Sequence, residues 1–174
     1  MINGSIRVID VNTGEVKAGT NETILRSNAI GSCIVIVAYD PVKKMGGLAH
    51  VMVPGTAPDG KKTRRTIYAA DAVEELMNRM IELGVAKEDI ETCLVGGGNV
   101  LERNDDTISE DNINSVIGIL TKRNLLIKAK SIGGTDRRTV SLDVQTGCVR
   151  FTEGDGPETL LWKFGGRPGE KVGD

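Results

Sequence analysis

Residues 31–54, GSCIVIVAYDPVKKMGGLAHVMVP, constrain the fold more than any other stretch of the chain. Two apolar, largely β-branched runs, about Ile34 to Tyr39 and Leu48 to Val53, are joined by Asp40-Pro41 and Gly46-Gly47. β-branched side chains pack well on a pleated surface, and Pro and Gly punctuate turns, so this pattern predicts a β-hairpin. The hairpin carries Cys33 near its entrance and His50 on its return. His50 is the single histidine of the 174 residues, so any imidazole chemistry belongs to it.

A cysteine nucleophile with a histidine base is the leading functional reading of this pair. The competing reading is that both are core residues, since cysteine behaves as a small hydrophobe and is commonly buried. Cys93, in ETCLVGGG, and Cys148, in TGCVRF, are read that way. Cys33 differs, because it follows Gly-Ser where the polar RSNAIGS gives way to IVIVAY, at an element's edge where a side chain can meet solvent. Geometry is a difficulty: a plain hairpin centred near Lys43 sets His50 opposite about Ile36, on the other face from Cys33. Either Cys33 lies before the strand on a curled loop, or Gly46-Gly47 introduces a bulge that changes the pairing.

Composition narrows the function classes. A chain of 174 residues with 39% apolar content suits one domain with a real core. A net charge of -2 and 3% aromatic residues leave neither a basic field nor stacking platforms, so nucleic acid is excluded as a partner. The N-terminus lacks a charged segment followed by a long apolar stretch. No run approaches the ~20 apolar residues of a membrane span, so a cytoplasmic protein without membrane insertion is expected. Three widely spaced cysteines indicate neither a disulfide framework nor a CxxC metal site, and a Cys3His zinc site has no supporting spacing.

Elsewhere the periodicity predicts a short strand at Ile6 to Val11, a polar turn and loop over NTGEVKAGTNET, and a mobile polar loop from Pro54 to Arg65. Ile67, Ala70, Val73, Leu76, Met77, Met80 and Leu83 recur at three and four, predicting an amphipathic helix over Thr66 to Leu83 that Gly84 ends. A second helix is expected from about Ser109 to Arg123, with Ser109 or Asp111 as N-cap. Strands are expected at Thr92 to Val95, Leu125 to Lys130, Thr139 to Val144 and CVRFT, before a Gly/Pro-rich tail whose strong apolar cluster is LLWKF. Two helices among about seven short strands make the chain α+β or mixed α/β. Gly96-Gly97-Gly98-Asn99 follows a strand. Its glycines either let backbone N–H groups approach a phosphate or oxyanion, or serve a turn needing positive φ; with no GK[ST] following, the turn is favoured, with a wall of an active site as a second role.

Taken in order, these motifs resemble the CheD family of chemoreceptor glutamine deamidases over about residues 5 to 153. The resemblance is carried by GSC before an apolar strand, the D-P turn, GG-x-AH-VMxP, Tyr68-Ala69-Ala70-Asp71-Ala72 opening a helix, LVGGGNV, and IGG-x-x-x-R-x-V with a later TG. It implies a cysteine-dependent amidohydrolase that converts receptor glutamines to glutamates and releases ammonia, with no metal or organic cofactor. The family's nucleophile falls on Cys33 and its histidine on His50. Its third position, usually threonine, falls on Ser27, which keeps the hydroxyl. Two departures lie further on: SEDN replaces G-x-R-N and keeps only Asn112, and Arg137 stands where glycine is common.

The expected chemistry begins with an imidazolium at His50 lowering the Cys33 pKa from about 8.5, and backbone N–H groups around Gly31, Ser32 and Cys33 receiving the oxyanion. Gly97, Gly98, Asn99, Gly133, Gly134 and Arg138 are candidates for the substrate groove. The implied fold is α+β, a mixed β-sandwich flanked by helices and resembling the catalytic domain of cytotoxic necrotizing factors. It would occupy residues 1–155 as one domain, with residues 156–174 as a tail. Implied partners are the cytoplasmic helical domain of chemoreceptors and a CheC-type phosphatase that imitates a receptor helix. Lys61, Lys62, Arg64 and Arg65 form either a rim for acidic helices or a solvated loop. Two other classes stay open: a non-catalytic adaptor binding receptors or CheC, and a redox sensor using Cys33 as a reactive thiol.

Overall fold

Strands β4 (Ile34–Asp40) and β5 (Met45–Val51) form the expected hairpin, and every residue of β4 is buried. The strand's period of two divides its side chains: Ile34, Ile36 and Ala38 enter one core, Val35, Val37 and Tyr39 another. A strand apolar on both faces needs cover on both sides. That places the hairpin in the middle layer of three.

The computed structural model describes residues 4–166. The middle layer is a sheet in the order β2 (Val16–Thr20), β5, β4, β6 (Glu91–Gly96), β7 (Leu126–Ile132). On one face it packs against helices α1 (Ala69–Glu82) and α2 (Ile108–Lys122), whose Val73, Leu76, Met80, Val116 and Leu120 fill the first core. On the other face lies a second sheet of β1 (Arg7–Asp10), β3 (Thr23–Ile30), β8 (Arg138–Asp143), β9 (Cys148–Glu153) and β10 (Thr159–Lys163), in the order β1-β3-β8-β9-β10. The pairs β1/β3 and β6/β7 are parallel and the other pairs antiparallel, so both sheets are mixed and the fold is α+β. Each aliphatic side chain fully buried between layers stabilises the fold by about 1.5–3 kcal/mol.

The structure adds three strands to those expected. β2 lies within NTGEVKAGTNET, which reads as loop because Lys, Gly and Thr hide a short edge strand whose partner, β5, supplies the order. β3 buries Thr23, Leu25 and Ser27 in strict alternation, a pattern masked by its polar inward residues. β10 is the LLWKF cluster of the expected tail. It pairs with β9, and Phe164 stacks on Tyr39 with ring centroids 5.2 Å apart, while the Tyr39 hydroxyl donates to the Val144 carbonyl at 2.7 Å. Residues 167–174 of that tail lie outside the described residues.

Two local expectations are corrected. Thr107, not Ser109 or Asp111, flanks the start of α2. The segment from Pro54 to Arg65 is tethered: Arg65 donates to the Lys61 carbonyl at 2.8 Å and to Asp71 at 3.2 Å, and Asp71 also accepts the Ala57 N–H at 2.7 Å. Among the described residues no helix is long and apolar enough to cross a membrane.

Candidate active site

The hairpin register decides whether Cys33 and His50 can meet. β4 and β5 pair without interruption from Ile34↔Val51 and Val35↔His50 to Asp40↔Met45. His50 therefore opposes Val35, one residue from the expected Ile36, because the Asp40 carboxylate closes the turn early by accepting the Val42 and Lys43 N–H groups at 2.9 and 3.2 Å. One residue of slip exchanges the faces of a strand. His50 thus shares the face of Val35 and Cys33, toward the core between the sheets. No bulge occurs at Gly46-Gly47, and Cys33 sits on a curl just before β4. The irregularity is in β3, where pairing with β8 shifts between Ser27 and Ile30 and Ala29 takes φ 54°. The one extra residue on β3 there lets both Ser27 and Ile30 point inward.

Ser27 and His50 are brought together. The Ser27 hydroxyl donates to the Val11 carbonyl at 2.6 Å, and its oxygen lies 2.7 Å from His50 Nδ1. Having spent its one proton on Val11, the hydroxyl can only accept from the ring, which assigns the proton to Nδ1 and the lone pair to Nε2. Nε2 is buried and has no hydrogen-bond partner. Burial pushes the His50 pKa below its ordinary value, with the Val11 carbonyl and the Glu15 carboxylate pulling the other way. The ring is 1% exposed. The environment favours the neutral base.

Cys33 is half-buried and lines a groove of about 320 Å³. Burial raises its thiol pKa, and its own backbone N–H opposes the rise. Cys93, fully enclosed, is pushed up to about 12 and is inert by comparison. Against the expected imidazolium–thiolate pair, burial raises the Cys33 thiol and lowers the His50 imidazole, so it disfavours charge on both groups.

The curl bearing Cys33 is clamped through its carbonyls. Gly98 N–H donates to Gly31 at 2.9 Å, Gly97 N–H to Cys33 at 2.8 Å, and Asn112 Nδ2 to Ser32 at 2.9 Å. The approach of the glycine segment needs glycine itself: Gly96 has φ 129°, and a Cβ there would stand 2.2 Å from the Cys33 carbonyl oxygen. Gly98 and Asn99 line the groove, together with Gly31 and Ser32. Gly97, Gly133, Gly134 and Arg138 do not. Gly97 faces Ile113, while Gly133 N–H and the Gly134 carbonyl bond to Gly96 and Asn99 from behind. Arg138 is 3% exposed and reaches Ser131 and Glu153 at 3.0 and 3.4 Å.

Two residues absent from the expected site belong to it. Arg137 contributes to the groove wall, and Asn112 grips the nucleophile's curl. The signal for Asn112 was available: it falls on the buried stripe of α2 with Ser109, Val116 and Leu120, where a polar residue of weak helix propensity needs a reason.

The fold and site define an α+β protein with a cysteine in a groove wall and, on the same sheet face, a buried histidine whose Nδ1 a serine hydroxyl engages. The chain belongs to the CheD family. The family profile described as "CheD chemotactic sensory transduction" matches residues 52–153. Over 152 residues, 87% of this chain and 76% of the relative, it is 41% identical to the "Probable chemoreceptor glutamine deamidase CheD" of Chlorobium luteolum. Proteins of the same description from Methanococcus maripaludis and Pyrococcus abyssi are 33% and 31% identical, each over 88% of this chain and 99% and 96% of their own lengths. Among solved structures, a Bacillus licheniformis hypothetical protein, YfiH, aligns at TM-score 0.40 and 13% identity over 75% of this chain and 59% of its own.

Proposed function

We propose that this protein is a chemoreceptor glutamine deamidase in which Cys33 is the nucleophile. Membership of the CheD family, with relatives described as chemoreceptor glutamine deamidases, supports the reaction. The observation that carries the residue roles is the His50 ring, with Nδ1 bonded to Ser27 and Nε2 buried and unpaired.

Starting from the neutral pair, the Cys33 proton passes to His50 Nε2 as sulfur attacks the amide carbon of a glutamine side chain. The carbonyl oxygen becomes an oxyanion received by backbone N–H groups of the Gly31–Cys33 curl, each such donor being worth about 3 kcal/mol in the transition state. His50 returns the proton to the departing nitrogen, and ammonia leaves a thioester. A water then attacks, Nε2 takes its proton, and glutamate is released with the thiol restored. Ser27 orients the ring throughout. Gly98, Asn99 and Arg137 would face the incoming helix, while Gly97, Gly133, Gly134 and Arg138 would support the wall.

The finer partners and setting belong to the same reading. A cytoplasmic location, a CheC-type phosphatase that competes by presenting a receptor-like helix, and a fold akin to the cytotoxic necrotizing factor catalytic domain all follow from the resemblance. A groove that accepts one projecting side chain suits a substrate presented on a coiled coil, and a partner helix can block it. Lys62 and Arg64, exposed on the tethered loop, are the part of the basic rim free to meet such a helix.

The test is ammonia release from a purified receptor cytoplasmic domain, with the +1 Da shift located by mass spectrometry. Cys33→Ala should abolish both signals and leave the fold intact. Appreciable residual deamidation would remove Cys33 from the chemistry and favour the adaptor reading.

A further inference from the structure

The three carbonyls of the Gly31–Cys33 curl are all occupied, and one of the three donors is a side chain. Backbone N–H groups of Gly98 and Gly97 take the outer two, and Asn112 Nδ2 takes the middle one, Ser32. The same nitrogen reaches the Met52 carbonyl at 3.0 Å, just beyond the strand that carries His50. Asn112 is wholly buried and sits on α2, so a single amide ties the nucleophile's turn, the end of the histidine's strand and a helix.

Within a trans peptide the carbonyl of one residue and the N–H of the next point in opposite directions. Holding the Ser32 carbonyl toward α2 therefore turns the Cys33 N–H away from the helix. Among the described residues neither the Ser32 nor the Cys33 N–H donates to another residue. Asn112 also keeps a buried Oδ1 without a partner, a burden that an apolar residue of similar volume would avoid. A side chain chosen only for packing would not carry it.

We infer that Asn112 is a positioning residue for the oxyanion site, fixing the Ser32–Cys33 peptide so that the Cys33 N–H meets the oxygen that becomes negative when Sγ attacks a carbonyl. The inference rests on the reading of Cys33 as nucleophile. It does not depend on which amide is the natural substrate.

Two small probes separate positioning from mere support. p-Nitrophenyl acetate acylates a thiol through a tetrahedral oxyanion: the sulfur–carbon bond forms, nitrophenolate leaves, and acetyl-Cys33 remains. Iodoacetamide alkylates the same sulfur by direct displacement of iodide, with no oxyanion. Mass spectrometry assigns each adduct to Cys33. Asn112→Leu should slow acylation about tenfold or more, by mispositioning one oxyanion donor, while alkylation stays within about twofold. A parallel fall in both rates makes Asn112 a support for the loop and overturns the inference, as does an acylation rate equal to that of the unmodified protein. If circular dichroism finds Asn112→Leu unfolded, Asn112→Asp is measured at pH 8, where a carboxylate of the same shape cannot donate to Ser32, and the same split decides. A protein whose Cys33 is acylated with this dependence but which releases no ammonia from receptor helices would sink the deamidase reading alone.

Discussion

Ser27 Oγ lies 2.7 Å from His50 Nδ1 while donating its own proton to the Val11 carbonyl, so a hydroxyl on one sheet sets the tautomer of an imidazole on the other. The contact exists because Ser27 continues the inward alternation of Thr23 and Leu25 while β4/β5 pairs without a bulge. It leaves Nε2 buried and without a hydrogen-bond partner, its lone pair open to a proton.

Removing that hydroxyl should cost both stability and rate. Ser27→Ala leaves the buried Val11 carbonyl and the Nδ1 proton without their shared partner, a loss of about 1–3 kcal/mol in thermal unfolding. Deamidation should slow about tenfold as the ring's orientation loosens. Ser27→Thr keeps the oxygen and should keep the rate. Equal ammonia release from all three proteins would show that the hydroxyl has no part in the reaction.

His50→Asn tests the base with little structural disturbance, because the amide nitrogen can take over the bond that Nδ1 makes to Ser27 while nothing replaces Nε2. The turnover should drop by about 10²–10⁴-fold with the unfolding temperature little changed. With no second histidine in the chain, a comparable rate in this variant would place the base elsewhere.

The hairpin and both helices were legible because their apolar periodicities are long and unbroken. The decisive detail was not. Whether Cys33 and His50 share a face turns on one residue of register, fixed by the Asp40 carboxylate capping the turn, and an Asp-Pro pair does not announce that geometry. Ser27 entered through family resemblance rather than through pattern, since β3 buries Ser27 and Thr23 as a strand normally buries Val. Arg137 was visible in the sequence as a departure and Asn112 as the one residue kept within another, but both acquire roles only when α2 and the loop before β8 meet the Gly31–Cys33 curl.

The glycine segment offers a contrast between two substitutions in one protein. Gly96→Ala puts a Cβ 2.2 Å from the Cys33 carbonyl oxygen and 2.7 Å from Ile30 Cγ2, at φ 129°. It should lower stability by about 3 kcal/mol or more and suppress activity by displacing the nucleophile's curl. Gly118→Ala, inside α2 with open space where the Cβ would go, should stabilise by about 0.5–1 kcal/mol and leave activity alone. A tolerated Gly96→Ala would mean the curl and the glycine segment are not as closely joined as the structure places them.

The pH dependence separates a neutral pair from an ion pair. His50 is depressed from 6.5 and Cys33 is raised from 9.0, both by burial. Below 6.5 the unfolded chain binds a proton on histidine before the folded one does, so stability is fully present above 6.5 and declines as pH falls through the folded value. Above 9.0 the unfolded thiol ionises first, so stability is lost again as pH rises until the folded thiol also ionises. The profile of kcat/KM, which reports the free enzyme, should accordingly have an acid limb below 6.5, an alkaline limb above 9.0 and a broad plateau between. Alkylation of Cys33 by iodoacetamide should still be climbing with pH at neutrality. An alkylation rate already on a plateau at pH 6, with activity falling above pH 8, would instead show a thiolate–imidazolium pair, and the proton would have left Cys33 before the substrate arrived.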